Sequence, residues 1–447
     1  MAHVARARVV IVGGGFGGVY AALELQRRLR RDPSVEITIV SRDNFFLFTP
    51  MLHEVAASDL DVTHIVSPVR KLLHGVSFFD GDVTRLDLER RTVVVAHGDD
   101  SHTHDLPYDH LVIALGSVTN FFGLPGLEEH ALTMKSLGDA IALRNRLIAL
   151  LEEADTECGA DVRERLLTCV VAGAGFAGVE TIAAINDFVR EALRFYPNLT
   201  EDMVRMVLVH PGDVILPELS PSLGRYAERK LAARGIEVRP RTKVDAVTAD
   251  TVTLNDGTRL TAGTLIWTAG TTPSPLVAAL PCVRERARLR VNEYLEVPGW
   301  PGVWALGDCA LVPNGQTGSF HPPTAQHAIR EGRCVGRNLV ATLRGGTKRR
   351  FAFRTIGQLA TIGRRTGVAQ ILGINFSGFV AWWLWRTIYL SKLPRFEKKC
   401  RVALDWTLDL VFSKDLVKFS TARTVAMAPA VAAATAPTLE KLAAARA

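Results

Sequence analysis

A glycine-rich turn between a short apolar strand and a helix, in residues 8–22, constrains the fold more than any other stretch of this sequence. Gly13, Gly15 and Gly18 have the G-x-G-x-x-G spacing. The first glycine permits a sharp turn, the second lets the backbone approach a pyrophosphate, and the third lets helix and strand pack closely. The phosphates would meet free N–H groups at the start of the helix. The stretch predicts a dinucleotide-binding βαβ unit, although a single glycine-rich turn can also serve packing alone.

The same pattern occurs again in residues 167–181, where Gly173, Gly175 and Gly178 stand between another apolar strand and another helix. Two copies in matching contexts are far more specific than one, because packing alone would seldom require the same three glycines twice. The sequence therefore predicts two dinucleotide-binding domains.

The residues that normally bind the adenosine ribose depart from the usual pattern in both units. The second strand of such a unit commonly ends in an acid that binds the ribose hydroxyls. Ser41 stands at that place in the first unit, with Asp43 nearby, and His210 stands there in the second. No arginine replaces the acid to bind a 2′-phosphate, so the sequence leaves open which nicotinamide nucleotide the second unit prefers.

Length and composition limit the classes of protein that remain. A chain of 447 residues predicts two or three domains, and a net charge of +7 is too modest at this size to indicate a nucleic-acid partner. The cysteines include no C-x-x-C pair and no metal-ligand spacing, so we expect a reducing compartment, no dithiol chemistry and no metal site. The first strand begins within about ten residues of the N-terminus, which leaves no room for a secretory signal and predicts a cytoplasmic protein.

The C-terminal part of the chain differs in character from the rest. Residues 379–385 are apolar and rich in tryptophan, but the run ends at Arg386, far short of the roughly 20 residues that span a bilayer. Lysines and arginines surround these aromatics. The pattern predicts amphipathic helices in the headgroup region of a membrane, and a dimerisation or core-docking helix is the alternative. Residues 426–447 are rich in alanine and proline and predict a disordered tail.

Together these motifs resemble the type II NADH dehydrogenases, single-subunit membrane flavoenzymes that pass electrons from NADH through FAD to a quinone without pumping protons. The resemblance extends over nearly the whole chain and is carried by residues 13–18, 47–52, 173–180, 268–270, 307–308, 323–328, 359–363 and 376–382. It implies an α/β fold with two Rossmann-like domains, arranged as in glutathione reductase, and C-terminal amphipathic helices that associate with a membrane. It also implies that the first fingerprint holds FAD and the second NADH.

The resemblance assigns roles to three side chains. Glu180 would lie next to the nicotinamide and Gln326 in the quinone pocket, whereas Arg330 stands where the family motif A-Q-x-A-x-Q has its second glutamine. We take these three as the catalytic candidates, with the alternative that Glu180 is a surface acid stabilised by the dipole of its helix. The residues implied to bind FAD or NADH are Gly13, Gly15, Phe16, Gly18, Ser41, Arg42, Pro50, Gly116, Gly173, Gly175, Gly178, Glu180, His210, Gly270, Gly307, Asp308, Ala325 and Gln326.

The resemblance further implies how the chain is divided and what it does. The FAD-binding domain would comprise 1–125 and 291–345, the NAD(H)-binding domain 126–290, the membrane-associating region 346–425 and the tail 426–447. The expected activity is NADH:quinone oxidoreduction at the cytoplasmic face of the cell (inner) membrane, with peripheral attachment and a possible homodimer. Two alternatives stay open, namely a flavoenzyme with a soluble acceptor and a redox-sensing flavoprotein without turnover.

Overall fold

The computed structural model describes residues 6–98 and 102–419, which form a mixed α/β structure. The elements of the first part are β1 (Ala7–Val12), α1 (Phe16–Leu29), β2 (Val35–Ser41), β3 (Phe45–Leu47), α2 (Leu52–Ala56), β4 (Val66–Pro68), α3 (Val69–Leu72), β5 (Ser77–Asp80), β6 (Asp82–Asp87), β7 (Thr92–His97), β8 (His102–Pro107), β9 (His110–Ile113) and β10 (Ser117–Thr119). The middle part contains α4 (Leu127–His130), β11 (Leu132–Thr133), α5 (Leu137–Thr156), α6 (Ala160–Leu167), β12 (Thr168–Ala172), α7 (Phe176–Ala192), β13 (Arg205–Val209), α8 (Pro221–Ala232), β14 (Ile236–Arg239), β15 (Val244–Val247), β16 (Thr251–Leu254), β17 (Arg259–Thr261), β18 (Thr264–Trp267) and β19 (Thr271–Pro273).

After β19, the chain returns to the sheet that contains β1. It then forms a small C-terminal region over residues 357–408. The returning elements are α9 (Pro275–Ala278), β20 (Arg284–Glu285), β21 (Arg288–Arg290), β22 (Val303–Ala305), β23 (Ala310–Leu311), β24 (Pro313–Asn314), β25 (Ser319–Phe320) and α10 (Ala325–Leu343). The last elements are β26 (Gly357–Thr361), β27 (Gly367–Ile371), β28 (Ile374–Gly378), α11 (Phe379–Lys392) and α12 (Phe396–Leu408). Short 3-10 turns occupy Thr49–Met51, Leu193–Phe195, Glu201–Met203 and Gly307–Cys309.

Two five-stranded parallel sheets form the core. The strand order is β22-β9-β1-β2-β5 in the first and β11-β18-β12-β13-β14 in the second. Ile11, Val12 and Ile39 are fully buried, as expected for parallel strands that are covered on both faces. Because β22 pairs with β9 across a long stretch of sequence, the returning segment completes the first sheet. The predicted α/β fold with two Rossmann-like units is confirmed.

The two glycine-rich turns have the geometry that their spacing predicts. Gly13 has φ +112° and Gly173 has φ +105°, a backbone conformation that favours glycine. A Cβ added at Gly18 would lie 1.9 Å from the carbonyl oxygen of Gly13, so the third glycine is what allows α1 to pack so closely on its strand. The second unit repeats this contact at 1.7 Å between Gly178 and Gly173.

The C-terminal region consists of the antiparallel sheet β26–β28 and the two helices that follow. One side of the helices is buried: Ala381 and Trp385 are fully buried and Trp406 is 7% exposed. The other side carries exposed apolar side chains, including Phe379 and Trp383. The core-docking alternative therefore holds for the inner side of these helices. Among the described residues, no helix is long and apolar enough to cross a bilayer.

Some local predictions need correction. The stretch that begins at His321 predicts a helix, but α10 begins only at Ala325, because prolines at 322 and 323 lack the N–H that a helix interior needs. The spacing of apolar residues predicts a helix over 137–151, but α5 continues to Thr156. It starts with a capping box in which Ser136 and Asp139 bond to each other's backbone N–H groups. The predicted tail, 426–447, lies outside the described residues.

Candidate functional site

The start of α1 offers unpaired backbone donors where a diphosphate would bind. Gly15 is the N-cap residue of the helix, and no side chain caps it. A Cβ added at Gly15 would meet no atom within 4 Å, so open space lies over the helix N-terminus. Free N–H groups and the positive end of the helix dipole favour an anion at this point.

The start of α7 repeats this arrangement with one difference. Gly175 is its N-cap residue and again lacks a side-chain cap. Here, however, a Cβ would lie 3.3 Å from Oε1 of Glu218, an acid that the sequence analysis did not single out. Burial raises the pKa of Glu218, which lies beside a place suited to phosphate.

The predicted residues at the end of β2 and in the following loop lie around the first glycine turn. The Ser41 hydroxyl faces Gly14, where a Cβ would come within 2.6 Å of it, and it accepts a hydrogen bond from the Asp43 N–H at 3.3 Å. Phe16 starts α1 and packs edge-on against Phe46, with 4.9 Å between ring centroids. Arg42 is exposed, and Pro50 lies in the short turn that leads into α2.

A chain of three polar side chains crosses from one unit to the other at the ends of the sheets. The Ser117 hydroxyl donates to Oδ2 of Asp308 at 2.7 Å, and Nζ of Lys135 donates to the Ser117 hydroxyl at 2.7 Å. Burial lowers the pKa of Lys135, while the charge of Asp308 opposes that change. Beside this chain, Gly116 has φ +65° and open space where a Cβ would lie. Lys135 carries no motif that could have identified it from the sequence.

The carboxyl ends of the two parallel sheets meet at this place. β10 directly follows Gly116, β19 directly follows Gly270, and these two short strands pair in antiparallel fashion. The Asn120 N–H also donates to the carbonyl oxygen of Gly270 at 3.0 Å. In parallel α/β sheets, ligands bind beyond the carboxyl ends of the strands, so both nucleotide sites open toward one another.

The start of α10 brings two more groups to the first unit. The Gly307 N–H donates to Oε2 of Glu331 at 2.8 Å, and burial raises the pKa of Glu331 to about 7. Gln326, one residue after Ala325 at the helix start, donates its amide to the carbonyl oxygen of Gly357 at 3.2 Å. No sequence motif marks Glu331 as a site residue.

Arg330 is held in place by two contacts. Its guanidinium donates to the backbone oxygen of Gln326 at 2.8 Å and lies 3.9 Å from the centroid of the Phe353 ring. Both contacts suit a planar cation, which stacks on aromatic rings in a way that an amide does not. The structure therefore brings Gln326 and Arg330 together, one helical turn apart. Arg330 carries a guanidinium where the family motif has a glutamine amide.

Glu180 is buried under the C-terminal region. It is the fifth residue of α7 and is 8% exposed, so the alternative of a surface acid on the first turn is wrong. Its Oε1 accepts hydrogen bonds from the Trp385 indole N–H at 3.0 Å and from the Thr361 N–H at 3.1 Å. Its Oε2 lies 3.8 Å from Nδ1 of His53. Burial raises the pKa of Glu180 to about 8, and the two donors oppose this change.

Two further buried ionisable residues on α2 lie near Glu180. Burial lowers the pKa of His53 to about 3, so its imidazole is neutral at physiological pH. Glu54 accepts a hydrogen bond from the Trp406 indole N–H at 3.2 Å, and burial raises its pKa to about 8. In the sequence, both residues lie in the apolar stretch 44–55, which predicts either a buried loop under a helix or a wall over a flat aromatic cofactor. The presence of His53 and Glu54 inside an apolar run was the sequence signal for buried ionisable groups at the site.

A cavity of about 300 Å³ adjoins this group. His53, Glu54 and Thr361 line it, as do Asp187 and Arg364. Its polar lining and its size, several times that of one water molecule, suit a chain of water molecules rather than an empty void.

Sequence comparison shows where the chain belongs. Residues 7–332 match the family described as pyridine nucleotide-disulphide oxidoreductase, and residues 356–415 match the NDH2 C-terminal domain. The chain is 32% identical over 425 residues to the type II NADH:quinone oxidoreductase Ndh of Mycobacterium tuberculosis, covering 92% of this chain and 89% of that protein. The chain belongs to the type II NADH:quinone oxidoreductases. The resemblance inferred from the sequence motifs is thereby confirmed.

Other relatives agree with this membership of the type II NADH:quinone oxidoreductases. The demethylphylloquinone reductase NdbB of a Synechocystis species is 34% identical over 90% of this chain and 96% of that protein. Among solved structures, NDH2 of Plasmodium falciparum in complex with NADH superposes with a TM-score of 0.86. It is 20% identical and covers 92% of this chain and 100% of that one, so the likeness concerns the fold.

In this type II NADH:quinone oxidoreductase, the ring of His210, which was predicted to bind NADH, is buried. His210 follows the last residue of β13 and is 8% exposed. Its Nδ1 accepts a hydrogen bond from the Ala174 N–H in the second glycine turn at 3.4 Å, and Gly212 packs against the other side of the ring. Burial lowers the pKa of His210. The ring is therefore a neutral acceptor that supports the glycine turn.

Proposed function

We propose that this protein oxidises NADH through bound FAD and reduces a membrane quinone, without moving protons across the membrane. The observation that carries the proposal is the meeting of the carboxyl ends of two parallel sheets at the pairing of β10 with β19. Hydride transfer requires the nicotinamide and the flavin to be held face to face with water excluded, and this arrangement of two nucleotide sites provides that geometry.

The residues of the first unit fit FAD. The open space over Gly15 suits the pyrophosphate, and the open side of Gly116 together with the Ser117–Asp308 pair suits the polar chain that follows it. Bound flavin would supply the chemistry, accepting a hydride and passing on electrons. The chain itself supplies binding, orientation and the exclusion of water. We propose the division into 1–125 with 291–345 for FAD, 126–290 for NADH and 346–425 for the membrane-associating region.

We propose that Glu180 holds a proton on Oε2. Its Oε1 already accepts two hydrogen bonds, so the proton belongs on the other oxygen. With a pKa of about 8, the carboxyl is protonated at neutral pH. The overall reaction, NADH + H⁺ + quinone → NAD⁺ + quinol, takes one proton from solution. The polar cavity is lined by His53 and Thr361, which both contact Glu180, and it would give water a route to replace the proton.

We propose that the helix start formed by Ala325, Gln326 and Arg330 faces the quinone. A quinone carbonyl needs a hydrogen-bond donor, and both Gln326 and Arg330 carry donors. Arg330 adds a positive charge, which would favour negative charge that develops on the quinone oxygen during reduction.

The activity is tested by steady-state NADH oxidation with the purified flavoprotein. We expect rapid turnover with a short-chain quinone. A protein that reduces ferricyanide but no quinone would support the soluble-acceptor alternative. Flavin that NADH reduces without any turnover would support the redox-sensor alternative. Either result contradicts the proposed function.

We further propose peripheral attachment to the cytoplasmic face of the membrane through the exposed side of α11 and α12. The apolar side chains on that side are Phe379, Val380, Trp383, Phe396, Leu404 and Leu408. Lysines and arginines around them, such as Lys392 and Arg401, suit anionic headgroups. The same surface would alternatively be covered by a second copy in a homodimer.

Substitution of this surface should release the protein from membranes. In a Trp383→Glu, Phe396→Glu variant, we expect binding to anionic vesicles to weaken at least tenfold, because burying each aromatic contributes about 1.5–3 kcal/mol. NADH:ferricyanide activity should persist, since both side chains point away from the core. Phe195→Glu, at another exposed phenylalanine, is the control. Unchanged sedimentation with vesicles would contradict attachment here, and a change from dimer to monomer without lipid would indicate the homodimer.

The residue at position 210 should influence the preference for NADH over NADPH. In the wild type, this preference should not change with pH. A neutral imidazole neither repels nor attracts a 2′-phosphate, whereas His210→Glu adds repulsion and should raise the preference for NADH over NADPH about tenfold, or about 1.4 kcal/mol. In the wild type, the ratio of kcat/KM for the two nucleotides should stay constant above pH 6.5, because burial lowers the pKa of His210 below that value. His74→Glu, at an exposed histidine, is the control. A ratio that His210→Glu leaves unchanged would place His210 away from the nucleotide.

A further inference from the structure

Three histidines lie on one face of the hairpin formed by β7 and β8. His97 pairs directly with His102 across the two strands, and Val95 pairs with His104. Directly paired residues of an antiparallel hairpin share a face, and residues two apart on one strand share it too. The register alone therefore brings His97, His102 and His104 together at the turn end of the hairpin.

The imidazole rings of His97, His102 and His104 lie in contact with one another. Nε2 of His97 and Nε2 of His104 are 2.7 Å apart, and the centroid of the His102 ring lies 4.7 Å from that of His104. One ring nitrogen from each of the three residues lies within 4.8 Å of the others. Phe79, on the edge strand β5, packs edge-on against His97 and His104 and limits their rotation. Within the described residues, no other three histidine, cysteine or acidic side chains converge in this way.

This ligand set has a defined chemical preference. Imidazole nitrogens bind Zn²⁺, Cu²⁺, Ni²⁺ and Co²⁺, whereas Mg²⁺ and Ca²⁺ prefer oxygen ligands. Three imidazole ligands at about 2.0–2.1 Å from a metal require nitrogens closer together than 4.8 Å, which small rotations of these partly exposed side chains provide. The Nε2 atoms of His97 and His104 share one hydrogen bond with each other, whereas a metal would bind one nitrogen from each of the three rings.

We propose that His97, His102 and His104 bind one divalent transition-metal ion on the surface of the first domain. The hairpin belongs to the separate antiparallel sheet β6–β8, not to either parallel sheet. The metal would therefore hold the turn end of β7 and β8 together without contributing to electron transfer. The ligand spacing H-x4-H-x-H carries this signal in the sequence, whereas the expectation of no metal site rested on the cysteines.

The test uses the purified full-length flavoprotein after treatment with a chelator. Zn²⁺ and Ni²⁺ are titrated by calorimetry, and we expect one equivalent to bind with a dissociation constant in the micromolar range or tighter. His102→Ala and His104→Ala should each weaken binding at least tenfold, while His74→Ala should leave it unchanged. Zn²⁺ should raise the Tm of the wild type but not of these two variants. The flavin content of each variant shows whether it remains folded.

A second readout identifies the ligands directly. Electron paramagnetic resonance of bound Cu²⁺ should show coupling to several nitrogens in the wild type and to fewer in His97→Ala. Saturable binding that the substitutions at 102 and 104 leave unchanged would overturn the proposal. So would the absence of saturable binding, or Cu²⁺ spectra without nitrogen coupling.

Discussion

Gly15→Val should abolish flavin binding while the protein still folds. Gly15 has φ −81°, which valine adopts without strain, and a Cβ there meets no atom within 4 Å. The added side chain would therefore disturb nothing in the protein and would instead occupy the space over the free N–H groups of α1. We expect FAD binding to weaken at least a hundredfold, or about 2.7 kcal/mol. The measurement is the flavin-to-protein ratio after gel filtration, with circular dichroism to monitor folding.

Two other glycines serve as comparisons for this result. Gly315→Val also introduces a side chain into open space, but on the hairpin β24–β25, and should retain flavin. Gly13→Val would place a Cβ 2.2 Å from the carbonyl oxygen of Ala114 at φ +112°, so this variant should fail to fold. A folded Gly15→Val protein with a full complement of FAD would show that the first glycine turn does not bind the cofactor.

Glu180→Gln should lower kcat with quinone by about 10²-fold, within the range of general acid catalysis. Glutamine keeps the shape and the acceptor oxygen that Trp385 and Thr361 contact, but it cannot give up a proton. Wild-type turnover should fall as pH rises above about 8, where Glu180 loses its proton, and this limb should be absent from the variant. Steady-state rates with quinone across this pH range provide the measurement.

Glu54→Gln is a closely matched control. Glu54 is also buried, also accepts a hydrogen bond from a tryptophan indole, and also has a pKa raised to about 8 by burial. Because Glu54 contacts Trp406 and not Trp385 or Thr361, we expect its substitution to lower kcat only a few-fold and to retain the alkaline limb. Equal losses in both variants would contradict a specific role for Glu180.

The same two acids make stability depend on pH. Their pKa values are about 8 in the folded protein, against 4.5 for an ordinary glutamate. Their contribution to the free energy of unfolding is therefore fully present below pH 4.5 and is lost as pH rises through the folded pKa of about 8. Each glutamine variant should lose part of this pH dependence.

The sequence predicted the parts of the structure that are encoded locally. Each glycine fingerprint needs only a strand, a turn and a helix that are adjacent in the chain, so Gly13–Gly18 and Gly173–Gly178 identified both units. The contact between Glu180 and Trp385 joins residues 205 positions apart, and no local pattern records it. Lys135 and Glu331 were missed for the same reason, because their partners come from other elements.

The C-terminal tryptophans show a further limit of sequence patterns. Trp383 and Trp385 stand two residues apart in one apolar run, yet the first is 54% exposed and the second is fully buried against Glu180. The apolar pattern predicted an amphipathic helix but could not reveal which side packs on the protein. Truncation before Phe376 would remove Trp385, which covers Glu180, together with the exposed apolar side chains of α11 and α12. Only substitutions of the exposed side chains can therefore test membrane attachment.

According to the proposed function, this single protein takes electrons from NADH and gives them to a quinone. Anaerobic stopped-flow spectroscopy of the purified flavoprotein tests this electron path most directly. NADH is mixed first, and a short-chain quinone follows once the flavin absorbance has bleached. We expect NADH to bleach the flavin and the quinone to restore its absorbance, each at least as fast as steady-state turnover. Flavin that NADH reduces but that quinone leaves reduced, while ferricyanide reoxidises it, would contradict the account.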